Sequence, residues 1–375
     1  MTLAQGPDVT LGGYLKDLVG IYEVPRDTGL WTPGNFQNTL QNRINIRYYP
    51  ADGLNLSCGI RSLLIYQKNL NPNGIYTSAL KETGDLQDLS LVLIDQRDVV
   101  LVSQIDRLYL DWVSGPFQAI VGRQRIAWGT NLIWNPTDVF NPYNVLDFDY
   151  QERPGVDAIR AQYYTGPTSR VEVGFAPGEF SHERTAVGLV STNMWEYDFN
   201  VMGGAFHEGY VFGFSWAGQI ADGGFRGEAR YTGDQTTLDP MTKQPGRLSY
   251  LLVAISADYT FSSSLYIHTE ILFNSDGVME NAGLWWPLAI ARGWYSPARW
   301  SVYQEFSYDL TLLVRGSFFG LINPSDGSFI LVPSASWSVA TDWDLFFIAL
   351  IPQGDDFTEW GPFGTSVFAS VKWSF

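Results

Sequence analysis

Val367-Phe368-Ala369-Ser370-Val371-Lys372-Trp373-Ser374-Phe375 ends the chain, and it reads with a period of two. Val367, Ala369, Val371, Trp373 and Phe375 fall on one face, and Ser370, Lys372 and Ser374 on the other. A strand with one apolar and one polar face, ending on an aromatic ring, suits a wall with lipid outside and water inside. If this is one stave of a barrel, the pattern must recur along the whole chain.

It does recur. Leu40, Ile44, Ile46 and Tyr48 alternate with Arg43, Asn45 and Arg47, and Pro50-Ala51-Asp52-Gly53 makes a turn. Leu54, Leu56, Cys58 and Ile60 then alternate with Asn55, Ser57, Gly59 and Arg61. Each half of this hairpin is long enough for a tilted crossing of a bilayer core, which takes about 9–11 residues.

The joints carry more weight than any one strand. Eighteen strands are expected between 9–24 and 363–375, with 16 the alternative count. The tight joints are Pro50–Gly53, Ser114–Pro116, Gly166–Ser169, Met194–Trp195, Asp222–Gly223, Ser262–Ser264, Tyr308–Leu310 and Thr341–Trp343. Between them fall the long ones, at 25–37, 68–88, 129–155, 234–247, 276–298 and 354–362. Short turns at one rim and long loops at the other are the arrangement of an outer-membrane barrel, with both termini on the periplasmic side. The expected fold is therefore all-β, a single transmembrane antiparallel barrel over residues 1–375, with 1–8 as a lead-in. Two stretches fit less well: 95–113 is overlong and 343–353 is apolar on both faces.

Composition agrees. Aromatic residues make up 15% of the chain, including 14 Trp and 20 Tyr, and charged residues only 17%. Aromatic girdles at two interfaces would use the first, and a lipid-facing wall explains the second. The apolar run around Phe346 to Ile351 falls far short of the roughly 18 residues of a membrane helix. With 23 basic and 39 acidic residues the net charge is −16, which excludes nucleic acid as a partner. Cys58 is the single cysteine, so no internal disulfide, haem attachment or zinc pattern can be built, and no cofactor is expected. Met1-Thr2-Leu3-Ala4-Gln5 lacks a charged and apolar leader, as expected of a chain whose signal has been removed.

If the apolar set meets lipid, the other set lines the lumen. It holds Arg43, Arg47, Arg61, Arg107, Arg160, Arg170, Arg226, Arg230 and Arg315, with Glu172, Glu228, Glu270 and Glu305. Of the basic residues 18 are Arg and five are Lys, and Arg makes the fixed bidentate pairs that suit a structured wall. Two roles stay open: cross-strand pairs that stiffen the wall, or surplus cations that draw anions to a constriction. Asp147, Asp149 and Glu152 form an acidic cluster in a long joint that could hold a divalent cation, without EF-hand spacing.

Residues 104–165 contain Gln104-Ile105-Asp106-Arg107-Leu108-Tyr109-Leu110, Val121-Gly122-Arg123-Gln124-Arg125-Ile126-Ala127-Trp128-Gly129 and Trp134-Asn135-Pro136-Thr137-Asp138-Val139-Phe140-Asn141-Pro142. This stretch resembles the alginate-export-like and related porin-like outer-membrane barrels over about 60 residues. The terminal Phe375 likewise resembles the signal by which such barrels are recognised for insertion. The resemblance implies a monomeric barrel of about 18 strands, with an Arg-lined lumen for an anionic solute or polymer. Trp128, Trp134, Asn135, Asp138 and Asn141 are the candidates for a loop that constricts the pore, or that is held by its own Asn-Pro turns.

Catalysis has little support. No Gly-x-Ser-x-Gly is present, and of His182, His207 and His268 only the last alternates inward, beside Tyr266 and Glu270. The leading function is a porin-like channel for small anionic solutes, set in the lipid bilayer and lipopolysaccharide of a bacterial outer membrane. The alternative is a structural barrel that sheathes or anchors a protein partner, such as a lipoprotein, cytochrome or surface assembly. A surface adhesion or receptor role through 129–155 and 276–298 comes third.

Overall fold

The computed structural model describes residues 8–22, 35–74, 76–77, 86–141, 155–238 and 245–375. Its strands are β1 (Asp8–Tyr22), β2 (Asn35–Ala51), β3 (Leu54–Gln67), β4 (Ser90–Asp95), β5 (Val99–Ser114), β6 (Phe117–Gln124) and β7 (Val156–Tyr164). Next come β8 (Arg170–Ala176), β9 (Thr185–Met194), β10 (Tyr197–Phe206), β11 (Gly209–Ile220), β12 (Gly223–Leu238) and β13 (Pro245–Thr260). The last six are β14 (Tyr266–Asn274), β15 (Trp300–Thr311), β16 (Val314–Ile322), β17 (Phe329–Ala340), β18 (Trp343–Gln353) and β19 (Ser366–Ser374).

They form one closed antiparallel sheet in which strands pair with their neighbours in sequence, except that β3 pairs with β5 past β4, and β1 pairs with β19. Eighteen of them make the wall, and β4 is an insertion. Closure runs from Tyr14↔Ser374 to Tyr22↔Ser366, and Gly13 and Phe375 exchange backbone hydrogen bonds of 2.9 and 3.0 Å. A Cβ on Gly13 would collide with the carbonyl of Arg43 and the ring of Phe375. Only glycine admits that approach.

The outward face carries two bands of rings. Trp343, Trp373 and Phe375 stack near the short-turn rim, and Trp112–Phe117, Tyr197–Phe199 and Tyr259–Phe261 continue that band. Phe36–Tyr66, Tyr210–Tyr231 and Phe273–Trp300 mark the long-loop rim. Exposed Val, Leu, Ile and Phe fill the band between. This is the exterior of a barrel that crosses a membrane.

The overlong stretch resolves into β4 and β5. β3 pairs with β5 along its length, while the other edge of β5 is shared, with β6 taking Leu108–Ser114 and β4 taking Val100–Gln104. The expected strand 117–128 stops at Gln124 because the chain turns off the wall there, and β4 takes over the vacated edge of β5. Arg123 ties the seam: its guanidinium donates to the carbonyls of Ile105 (3.3 Å) and Gln87 (2.5 Å) and pairs with Asp157 at 2.8 Å. Two joints also differ. β12 and β13 lengthen into the expected loop at 234–247, and β15 runs to Thr311, beyond the turn expected at Tyr308–Leu310.

Replacing Gly13 with Val should therefore weaken closure by about 1–3 kcal/mol, the usual cost of overpacking. Urea unfolding followed by tryptophan fluorescence would show a lower midpoint. Gly166→Ala, whose Cβ meets nothing within 4 Å, should leave the midpoint unchanged.

Candidate functional site

After β6 the chain folds inward, and residues 125–141 run across the inner wall. Local bonds shape the segment first. Asp138 Oδ1 accepts the backbone N–H of Trp128 (2.5 Å) and Gly129 (2.6 Å), Asn141 Oδ1 accepts that of Ile126 (3.0 Å), and Asn135 Nδ2 donates to the Asn131 carbonyl (2.6 Å). Trp128 packs edge-on to Phe140 with ring centres 5.1 Å apart. These are the Asx-type contacts that Asn and Asp make in turns.

Three carboxylates on the wall then hold the segment down. Glu172 of β8 accepts the Trp128 indole N–H at 2.6 Å. Glu228 of β12 is fully buried and accepts the N–H of Thr130 (2.6 Å), Asn131 (2.7 Å) and Thr137 (2.9 Å), plus the Thr137 hydroxyl (2.6 Å). Glu270 of β14 accepts the N–H of Ile133 (3.2 Å) and Trp134 (2.8 Å). A loop buried inside a barrel must satisfy its own backbone, and carboxylates with several lone pairs do so economically. Bonds to a charged acceptor also contribute more than neutral ones, on the order of 1.5–3 kcal/mol each.

So Trp128, Trp134, Asn135, Asp138 and Asn141 all lie buried in this inward segment. Glu172, Glu228 and Glu270 lie beneath it and present no carboxylate to open lumen. Asp147, Asp149 and Glu152 fall outside the described residues. His268 sits 3.5 Å from Glu270, whose oxygens already serve the loop, and no serine is bonded to that histidine among the described residues.

The arginines divide by sector. Arg160 and Arg170 both pair with Glu172 (2.5 and 3.2 Å), Arg226 pairs with Asp258, and Arg315 pairs with Asp309 at 3.1 Å. Arg230 donates to the Tyr250 hydroxyl at 2.9 Å. Across β2, β3 and β5 the balance differs. Arg43, Arg47, Arg107 and Arg125 line one cavity of about 330 Å³ with Asn45, Ser57 and Tyr109, and Arg61 stands beside it, bonded to Gln41 at 3.5 Å. Asp106 is the nearby acid, joined to Arg43 by two hydrogen bonds of 2.6 and 3.0 Å and lying 4.0 Å from Arg107. Arg47 makes no ion pair among the described residues. Arg125 is the member that strand reading misses, because only the break after Gln124 carries it into the lumen.

No protein-family model matches the chain, and no curated protein matches it in sequence. Solved structures match in fold. OccAB3 of Acinetobacter baumannii aligns over 98% of this chain and 99% of its own, with a TM-score of 0.60 at 10% identity. The outer membrane channel DcaP of Acinetobacter baumannii aligns over 100% and 99%, at 0.52 and 11%. A triple mutant of Rhodopseudomonas blastica porin aligns over 98% and 100%, at 0.50 and 11%. The fold is that of the outer-membrane porin barrels.

Above the inward segment the long loops clasp one another. Tyr295 donates to the Asn135 carbonyl at 2.5 Å, Trp286 Nε1 to the Glu359 carbonyl at 3.0 Å, and the Glu359 N–H to Asp326 at 2.8 Å. The Glu359 side chain is fully buried, with Oε1 accepting the Ser296 hydroxyl at 2.7 Å. Burial pushes its carboxyl up to about 8, with the Ser296 bond pulling against that and Asp326 adding to it.

Two outcomes follow. Glu228→Gln replaces acceptor lone pairs with an amide that faces N–H donors, and should loosen the segment by about 2–3 kcal/mol. Limited proteolysis of the folded barrel should then cut within 129–137, where the parent resists. For Glu359 the raised pKa means the neutral acid suits the clasp. Its contribution is full below the ordinary carboxylate range and is lost as pH rises through about 8. Fluorescence of Trp286 and Trp360 should change across that range in the parent and stay flat in Glu359→Gln.

Proposed function

We propose that this protein is a porin-like channel of the bacterial outer membrane that passes small, hydrophilic, anionic solutes through its lumen. One observation carries the reading: Arg43, Arg47, Arg107 and Arg125 line a single lumenal cavity, and among the described residues Asp106, paired with Arg43, is the acid beside it. Fixed guanidinium groups replace part of an anion's hydration shell and raise its local concentration. They also bind carboxylate or phosphate oxygens bidentately, with no dependence on pH in the physiological range. The opposite wall supports the same reading, because Glu172, Glu228 and Glu270 serve the inward segment and Asp258 and Asp309 pair with arginine, so these five do not offset the cluster. The narrower kinship to alginate-export-like barrels rests on residues 104–165 and would make the solute an acidic sugar or polymer.

Reversal potential across a planar bilayer under a salt gradient tests this. The parent should favour anions. Neutralising Arg47, Arg107 and Arg125 together, each to Gln, should shift the permeability ratio several-fold towards cations. A cation preference that survives the triple substitution unchanged would refute the anion assignment.

A further inference from the structure

Strand β18 is apolar on both faces, and contact with lipid explains only one of them. Leu345, Phe347 and Ala349 face outward, while Phe346, Ile348 and Leu350 face the lumen. The inward segment accounts for part of the second set, because Ile348 is buried in one cluster with Ile330, Val332 and Trp134. Phe346 stands nearer the short-turn rim and is only half-buried. It lines a cavity of about 390 Å³ that shares no residue with the arginine cavity. The two adjoin, since Lys16 of the new cavity pairs with Gln41, two residues along β2 from Arg43.

The ladder fixes what surrounds Phe346. Ser370 stands on one side of it and Ser336 on the other, with Leu18 beyond Ser370. Leu18 and Phe346 are therefore two strand spacings apart, about 10 Å, over a floor of one small residue. This is a slot with apolar sides. One row nearer the rim, about 7 Å along the strands, Lys16 and Lys372 lie directly opposite each other. Asp344 follows in that row, 3.7 Å from Lys372, and the Arg315–Asp309 pair closes the far side. Two of the five lysines in the chain thus meet on one inward face. Like charges directly opposite in a ladder repel, and a carboxylate held between them relieves the repulsion.

A small polar anion gains nothing from Leu18 and Phe346, and a neutral apolar solute gains nothing from the lysines. We propose that this cavity is a second station on the solute path, which holds an anion with an apolar body, such as an aryl or branched alkyl carboxylate. Its carboxylate lies at Lys16 and Lys372, and its ring or alkyl group lies in the slot between Leu18 and Phe346. The proposal rests on the anion-channel reading and narrows the class of solute. Apolar walls with a few convergent polar groups, in a volume of roughly 300–1,000 Å³, are the usual form of a small-molecule site. The inward apolar face of β18 then has a use below the segment that covers its upper part.

The test reads block of the chloride current by sodium benzoate and by sodium acetate, added to both sides of a planar bilayer that holds the full chain. Half-block by benzoate should need about tenfold less solute than by acetate, because only benzoate buries a ring. Phe346→Ser should bring the two solutes together, and Phe346→Leu should keep most of the preference. Lys372→Gln should weaken block by benzoate several-fold. Equal block by the two solutes in the parent would overturn the proposal. A preference that survives Phe346→Ser, or block unchanged in Lys372→Gln, would do the same. Reversal potential in the same membranes separates this station from the channel reading. An anion-selective parent that is blind to the ring refutes the station alone, whereas a cation-selective parent that still prefers benzoate supports the station and refutes the anion channel.

Discussion

Everything in this molecule depends on one constraint: inside a bilayer no water is available to hydrogen-bond a backbone N–H or carbonyl. The ladder must therefore return on itself, and it does so where β19 meets β1. Closure fixes the alternation of every strand, since a slip of one residue would turn the lumenal set to lipid. That is why the last aromatic residue and Gly13 bond each other at the seam, and why a side chain at Gly13 is excluded. With the faces locked, the chemistry of the interior follows from which residues hold the inward positions.

The same rule governs the one place where the wall is interrupted. When the chain leaves β6 for the lumen, the upper edge of β5 would be left bare, and β4 covers it. Arg123 closes the seam with bonds to two carbonyls, while its charge is matched by Asp157. The departing segment carries its own unsatisfied N–H groups, and Glu228 and Glu270 accept them from across the barrel. Desolvating a carboxylate costs several kcal/mol unless hydrogen bonds replace the lost water. Here several donors converge on each, so loop and wall stabilise one another.

This explains which features the sequence showed and which it hid. Strand β3 was legible to the residue, 54–67, because period-two alternation and turn residues are local signals. The division of 95–113 was not, because β4 and β5 have the same apolar alternation and nothing local marks a handover at one edge. The inward segment was legible as a loop rich in Asn-Pro and Trp, yet its anchors were not. An inward glutamate has the same sequence pattern whether it meets water or the backbone of a loop folded against it. Arg125 was hidden for the related reason that its orientation depends on where β6 stops.

The net charge of −16 therefore says little about the lumen. Whole-chain charge governs solubility and long-range steering, while permeation depends on the charges that an ion meets at contact distance. In this barrel Glu172, Glu228 and Glu270 are occupied by the inward segment, and Asp258 and Asp309 by arginines. Opposite them, Arg43, Arg47, Arg107 and Arg125 crowd one cavity with Asp106 as the nearby acid. An excess of acid over base in the chain and a cluster of arginines on one lumenal wall are compatible, because these five acids are held by the inward segment or by arginines elsewhere on the wall.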